Sequence, residues 1–447
     1  MKKKKHSLVR LFSCAALAVA MMFSMAAPVI ADPGANSSYS EGTDAAHPAR
    51  AAITKRLKMP VNTAVPDDAQ FTFTFTATGK DGGAVPDGMP EISPVVADLT
   101  TSGTDTYTDG GTIYVVKETS NFIAGITGTF PGPGIYTYQV RETASNIDIT
   151  DGTNEGTTNS SAVYDLELWV DEDSEGNLFV KYVSAKTVTG SVDEYYPGDE
   201  GGNKVDPTPG GTNEVNGTTI EDDYSQVIFT NSYWTSDGGG TENPDQTALE
   251  IVKKITGNGA DLTDRFPFDV TVQQPAAVSP DDPAQTYQVC VLNANGDVIT
   301  TSANYAGTIE DGFFTVTSGE PFTVNLTNNE RLAFVDLHIG SDVEVEEKAN
   351  EDYKAKYVRT FAGNTEYTAA DKDMAWGFPV NSSDAGPHYI SAGAGENTVT
   401  FTNMRAGATP TGISVDNLPF IALIGVAIAG LVGFVITKSR KRGQADA

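Results

Sequence analysis

Runs in which every second residue is apolar constrain this chain more than any other feature. Phe71-Thr72-Phe73-Thr74-Phe75-Thr76 is the clearest, and 135–140, 164–170, 178–183 and 227–230 repeat the pattern. Side chains two apart share a face only in an extended strand, so this period predicts strands with one buried side. The residues are β-branched or aromatic, and the breaks are rich in Gly, Asn and Asp, as in sandwiches of antiparallel strands. A second set is expected over 249–255, 266–272, 287–292, 312–316, 342–347, 353–360 and 397–402. The expected fold class is all-β: two tandem immunoglobulin-like β-sandwich domains, with no amphipathic helix between the chain's two ends.

Those ends are different in kind. Lysines at 2–5, an apolar stretch over 11–25 and Val29-Ile30-Ala31 make a secretory signal over 1–31. Cys14 precedes most of that apolar run instead of closing it, which excludes a lipoprotein signal. Near the other end, Thr409-Pro410-Thr411-Gly412 is followed by an apolar run over 420–436 and then by Lys438, Arg440, Lys441 and Arg442. Such a run can cross a bilayer, and the basic flank favours the cytoplasmic side. The arrangement resembles a Gram-positive cell-wall sorting signal, in which a sortase cuts between Thr and Gly and passes the Thr carbonyl to an amine. Pro410, Thr411 and Gly412 are the expected cleavage element. The commonest such motif has Leu-Pro-x-Thr-Gly, so the sortase class stays open, and a plain C-terminal membrane anchor is the alternative. The resulting division is signal 1–31, disordered lead-in 32–49, first sandwich 50–234, linker 235–247, second sandwich 248–405 and sorting signal 406–447 with a span over 418–437. A long loop is expected over 197–220.

Charge and cysteine content narrow the function. The chain carries 59 acidic and 29 basic residues, a formal net charge of −30. Such a polyanion does not bind nucleic acid or an anionic membrane by phosphate neutralisation. Beyond the signal only Cys290 remains, so an exported chain of this size has no internal disulfide. Its cores suffice, or another covalent device stands in. His47, His338 and His388 lack metal spacing, and no phosphate loop or nucleophile elbow is present, so neither metal nor cofactor is expected. Residues 171–177 look faintly like a calcium loop, but the twelfth position is Tyr182; a hairpin turn is expected there.

Both halves carry the same three polar residues in the same order. Each opens on a strand with a lysine, Lys55 or Lys253. Each has a middle strand ending in a glutamate, Glu142 or Glu347, and a closing strand ending in an asparagine, Asn231 or Asn403. Strand period puts Lys55 on the face of Ile53, Lys253 with Ile251, Glu142 with Val140, Glu347 with Val345, Asn231 with Phe229 and Asn403 with Phe401. All six polar groups continue an apolar face, where a lone charge is costly. Lys254 and Glu346 fall on the opposite faces. Desolvation favours a neutral amine and a neutral acid. A neutral amine is a nucleophile, an Asn amide carbon an electrophile, and the acid can shuttle protons to departing ammonia. The product is a Lys–Asn isopeptide bond, Lys55 to Asn231 and Lys253 to Asn403, with Glu142 and Glu347 catalytic. Taken singly, each residue also fits a snorkelling lysine, a solvated glutamate or a turn-forming asparagine. Glu118 and Lys58 are fallbacks in the first half.

These residues carry a family resemblance. Residues 50–234 resemble a streptococcal major pilin of the isopeptide-linkage type through 71–79, 134–142 and 229–233. The second half resembles a related pilin domain through 252–257 and 400–403. The resemblance implies internal Lys–Asn bonds and sortase-built head-to-tail fibres on a Gram-positive cell wall. Implied partners are a sortase, neighbouring subunits and peptidoglycan, with any host receptor unknown. The precursor would be transiently membrane-anchored and the role structural, not enzymatic. Polymerisation needs a receiving lysine; Lys204 is preferred, then Lys186 and Lys181. A monomeric wall-anchored adhesin built from the same domains is the competing reading.

Overall fold

The computed structural model describes residues 40–407 apart from 148–154, 189–203, 211, 216–217, 279–283, 362–363, 369–378, 383–388 and 393–396; beyond 407 it describes only 426–428 and 431. The predicted signal and Pro410, Thr411 and Gly412 therefore lie outside the described residues, as does most of the predicted span. Among the described residues no helix is long and apolar enough to cross a membrane.

The protein is nearly all β, arranged as two sandwiches in tandem. In the first, the strand Thr54–Pro60 sits at the centre of one sheet. Ile228–Asp237 lies parallel on one side of it, and Thr112–Glu118 lies antiparallel on the other. The facing sheet orders Lys204–Val205, Leu178–Thr187, Val163–Glu172, Gly134–Ser145, Gln70–Lys80 and Val95–Asp98. Alternation does what it predicts: Phe71 and Phe73 point inward with no exposed surface, while their threonine neighbours stay half-buried. Tyr136, Tyr138, Val140, Leu166, Leu168 and Phe229 complete that core.

The second sandwich repeats the plan. Leu249–Thr256 is flanked by Thr398–Met404 in parallel and Arg331–Phe334 antiparallel. Across the core, Phe266–Gln273 lies between Phe322–Leu326 and Asp342–Glu347. Ile251, Phe266, Phe268, Val270, Val345 and Phe401 fill the space between the sheets.

Three sequence expectations need correction. Residues 40–49 of the expected lead-in are fixed: the Gly42 and Ala49 N–H groups donate to Lys181 and Val180 carbonyls, each at 2.8 Å, and Ala49 is buried. Within the expected 197–220 loop, Thr212–Val215 pairs with Thr218–Asp223 in a hairpin. Among the described residues its two strands pair only with each other. The expected linker 235–247 begins inside a strand, Ile228–Asp237, whose Ser236 and Asp237 pair with His338 and Leu337 of the second sandwich. Gly240 N–H then donates to Val335 O at 2.9 Å, and at Gly238 (φ 107°) a Cβ would lie 2.1 Å from that oxygen. Glycine here permits contact as well as flexibility. Residues 171–177 lie at a hairpin, Asp171 and Glu172 ending a strand and 173–177 making the turn, with Asp173 Oδ1 accepting from the Glu175 and Asn177 N–H groups, each at 2.9 Å.

Candidate functional site

Topology brings the two ends of each sandwich together. The opening and closing strands are parallel neighbours, with Lys55 opposite Phe229 and Leu57 opposite Asn231. In the second sandwich Lys253 lies opposite Phe401 and Ile255 opposite Asn403. Each asparagine thus stands two residues along from its lysine's cross-strand partner, on the same face. The glutamate arrives from the facing sheet. Glu142 pairs with Phe73 and Glu347 with Phe268.

The three side chains close a ring in each core. Lys55 Nζ donates to Glu142 Oε2 at 2.6 Å and to Asn231 Oδ1, while Asn231 Nδ2 donates to Glu142 Oε1 at 2.7 Å. Lys253 Nζ donates to Glu347 Oε2 at 2.9 Å and to Asn403 Oδ1 at 2.5 Å. Asn403 Nδ2 completes that ring by donating to Glu347 Oε1 at 2.5 Å. Lys55, Asn231 and Lys253 have no exposed surface, Glu347 and Asn403 only 1%. Burial pushes Lys253 down to about 8, against the pull of Glu347, and pushes the Glu347 carboxyl up. An amine held against an amide, with a carboxyl bridging both, is poised for acyl transfer from nitrogen to nitrogen.

Sequence reasoning missed the floor of this site. Lys55 Nζ sits 4.1 Å from the Phe71 ring centroid, and Lys253 Nζ sits 3.9 Å from Phe266 and 5.6 Å from Phe268. Phe73 packs on Phe229 at 4.8 Å and Phe268 on Phe401 at 5.1 Å. The available signal was a Phe-x-Phe pair in each half, Phe71 with Phe73 and Phe266 with Phe268. It also missed Asn159 and Ser160, which both touch the Asn231 amide.

The fallback residues go elsewhere. Glu118 accepts from the Ser225 N–H at 2.8 Å and, raised by burial, braces that turn. Lys58 is buried on the opposite face of its strand. Lys254 is exposed, and Glu346 pairs with Lys348 at 3.0 Å. Of the candidate receiving lysines, Lys204 and Lys186 lie opposite one another at a sheet margin. Lys204 is exposed and Lys186 lies 3.7 Å from Glu167, whereas Lys181 is tied to Asp171 at 2.9 Å. His338 is buried in the core; among the described residues no His, Cys, Asp and Glu group could hold a metal ion. His388 lies outside the described residues.

Two sandwiches, each with an amine, a carboxyl and an amide meeting in a dry core, define the class of molecule to which the comparisons speak. A family model described as a domain of unknown function (DUF7601) matches residues 247–405, the second sandwich. The chain is 25% identical over 412 residues to a pilin of Streptococcus pyogenes serotype M1, covering 88% of this chain and 91% of that protein. Among solved structures it is similar to the major pilin from Streptococcus pyogenes, with 16% identity, a TM-score of 0.28, and 81% of this chain and 99% of that one covered. A pilus-presented adhesin aligns at 12% identity and a TM-score of 0.23, covering 79% of this chain and all of the other. The resemblance to Gram-positive pilins drawn from the sequence is thus matched by a pilin relative spanning most of the chain.

Proposed function

We propose that this chain is the structural subunit of a sortase-assembled, covalently polymerised pilus on a Gram-positive cell surface, and that each sandwich is locked by an autocatalytic Lys–Asn isopeptide bond. The observation that carries this is the twofold Lys–Glu–Asn ring, supported by similarity to a pilin. The neutral lysine attacks the asparagine Cγ. The carboxyl moves one proton from the attacking nitrogen to the amide nitrogen, which leaves as ammonia. Burial favours the uncharged amine at Lys253, and in both sandwiches the dry phenylalanine floor excludes water that would hydrolyse the amide. No enzyme acts here; each domain reacts once, on itself.

Intact mass tests the chemistry: the purified protein should be short by one ammonia per sandwich. Glu142→Ala and Glu347→Ala should each restore one ammonia. A wild-type mass equal to the full sequence after export would end the proposal. Assembly is tested by boiling native cell-wall extracts in detergent. A ladder of covalent multimers marks the polymer, with the Thr411 carbonyl joined to a lysine such as Lys204. A single band marks instead a monomeric wall-anchored adhesin.

A further inference from the structure

The amide of Asn231 is held by more groups than the amide of Asn403. The strand Glu155–Thr158 runs antiparallel beside the closing strand, Ser232 opposite Thr158. Gly156 permits that approach, since a Cβ there would lie 2.4 Å from the Trp234 ring. The chain leaving this strand passes directly over Asn231. There the Ser160 backbone N–H donates to Asn231 Oδ1 at 2.9 Å, and Asn231 Nδ2 donates to Asn159 Oδ1 at 3.0 Å. In the second sandwich Asn403 Oδ1 accepts from Lys253 and Nδ2 donates to Glu347, with no third group on that amide among the described residues.

Resting on the isopeptide reading, we propose that Ser160 and Asn159 are further catalytic groups of the first sandwich: the Ser160 N–H holds the oxyanion, and Asn159 holds the nitrogen that leaves. As the Lys55 Nζ lone pair bonds to Asn231 Cγ, the carbonyl π pair moves onto Oδ1, toward the Ser160 N–H. A fixed donor aimed where charge develops stabilises the tetrahedral intermediate and needs no reorganisation. Glu142 relays one proton from Nζ to Nδ2. The oxyanion collapses, the Cγ–Nδ2 bond breaks, and its electron pair departs with the nitrogen as ammonia. Asn159 is exposed whereas Asn231 is fully buried, so its carbonyl gives the departing nitrogen a polar contact on the side facing water. The first bond therefore forms ahead of the second.

The two bonds in one molecule serve as each other's clock. Unreacted full-length chain, recovered from denaturant-solubilised aggregates and identified by its full mass, is diluted into native buffer and quenched in acid and denaturant over time. Peptide mass spectrometry then follows the Lys55–Asn231 and Lys253–Asn403 cross-links separately. Asn159→Ala should slow the first bond about tenfold relative to the second, the effect of one lost hydrogen bond in the transition state. Asn159→Asp keeps the acceptor and should stay close to wild type. Ser160→Pro removes the N–H and should slow the first bond about a hundredfold or more. In a Glu142→Ala background, which leaves the first sandwich unreacted, Asn159→Ala should lower the melting temperature by no more than the roughly 2–4 °C that one lost hydrogen bond costs. An unchanged ratio of the two rates in Asn159→Ala, or a melting temperature lowered in that background by well over the roughly 2–4 °C of one hydrogen bond, overturns the assignment. Absence of both cross-links in the wild-type chain at all times would instead sink the isopeptide reading itself.

Discussion

The rate of the second bond should pass through a maximum in pH and fall on the alkaline side. Burial lowers Lys253 to about 8 and raises Glu347, so each group's neutral form is favoured. The reactive pair holds one proton, on Glu347, with the amine free. Below the raised value of Glu347 the pair gains a second proton and the amine is blocked as ammonium. Above about 8 the pair loses its last proton, and the carboxylate has none to give the departing nitrogen. The titration belongs to the pair, so the reactive share falls about tenfold per pH unit once past 8, and about a hundredfold by pH 10. The assay is the same dilution from denaturant, run across pH with a fluorescence record that folding is complete at each value. A rate that stays level or climbs from pH 8 to 10 would show that the free amine alone suffices, and would refute the shared proton. Glu347→Gln, which keeps the shape but carries no exchangeable acid, should abolish the bond at every pH.

Other perturbations test the surroundings. Lys253→Ala leaves one oxygen of the buried Glu347 carboxyl unsatisfied; in chemical denaturation it should lie about 1–3 kcal/mol below the Lys253→Met, Glu347→Leu double variant, which also lacks the bond. Phe268→Ala removes a fully buried ring beside Lys253 and should cost about 3–5 kcal/mol, while slowing the second bond and sparing the first. His338 is held neutral by burial, its value lowered from 6.5 to about 4. The unfolded chain therefore binds the extra proton first: stability is whole above pH 6.5 and falls by about 3 kcal/mol as pH drops through 4, a loss that His338→Gln should blunt in urea titrations. In single-molecule stretching, Glu142→Ala should add an unfolding extension of about 600 Å, the extended length of the segment between Lys55 and Asn231, which the wild-type protein should never show.

What the sequence revealed follows from where side chains point. Strands with one dry face, such as Gln70–Lys80 and Asp342–Glu347, alternate visibly, and a lysine or glutamate that continues the apolar face stands out against them. The three-residue ring was legible for that reason. Strands without a dry face gave no such signal. Thr104–Asp109 has no buried residue, yet it pairs along its length with Thr112–Glu118. The hairpin of Thr212–Val215 and Thr218–Asp223 carries only Val215 and Ile220 as apolar residues, too few to set a period, and its pairing rests on backbone groups that sequence does not display. Ser160 was hidden for a related reason: it touches the site through its N–H, which every residue but proline possesses. The aromatic floor was visible as strand but not as site, because a Phe-x-Phe pair is ordinary core until a lysine is seen lying on it.

The placement of the proposed bonds has a mechanical logic that register alone explains. Because opening and closing strands are parallel neighbours, a pull on the two ends of a sandwich would shear them past one another, loading every backbone hydrogen bond between them at once. A Lys–Asn bond two residues out of register crosses that same pair of strands. Tension entering at Lys55 would then leave at Asn231 without reaching the facing sheet, and enter the second sandwich at Lys253 to leave at Asn403. Between the two proposed bonds this route would run through the short segment from Asn231 to Lys253. That is where the fold differs most from a flexible linker: Thr235 O accepts from Ile339 N–H at 2.9 Å, Ser236 pairs with His338, and the Trp234 ring meets the His338 ring at 4.4 Å. Gly340 packs against Pro60 so closely that a Cβ would lie 2.5 Å from its ring, and Asn62 Nδ2 donates to Tyr389 O at 3.2 Å. The segment that neither proposed bond would span is thus the one stitched to the neighbouring sandwich by strand pairing, which makes the joint a continuation of the sheet and would leave little slack between the two sandwiches under load.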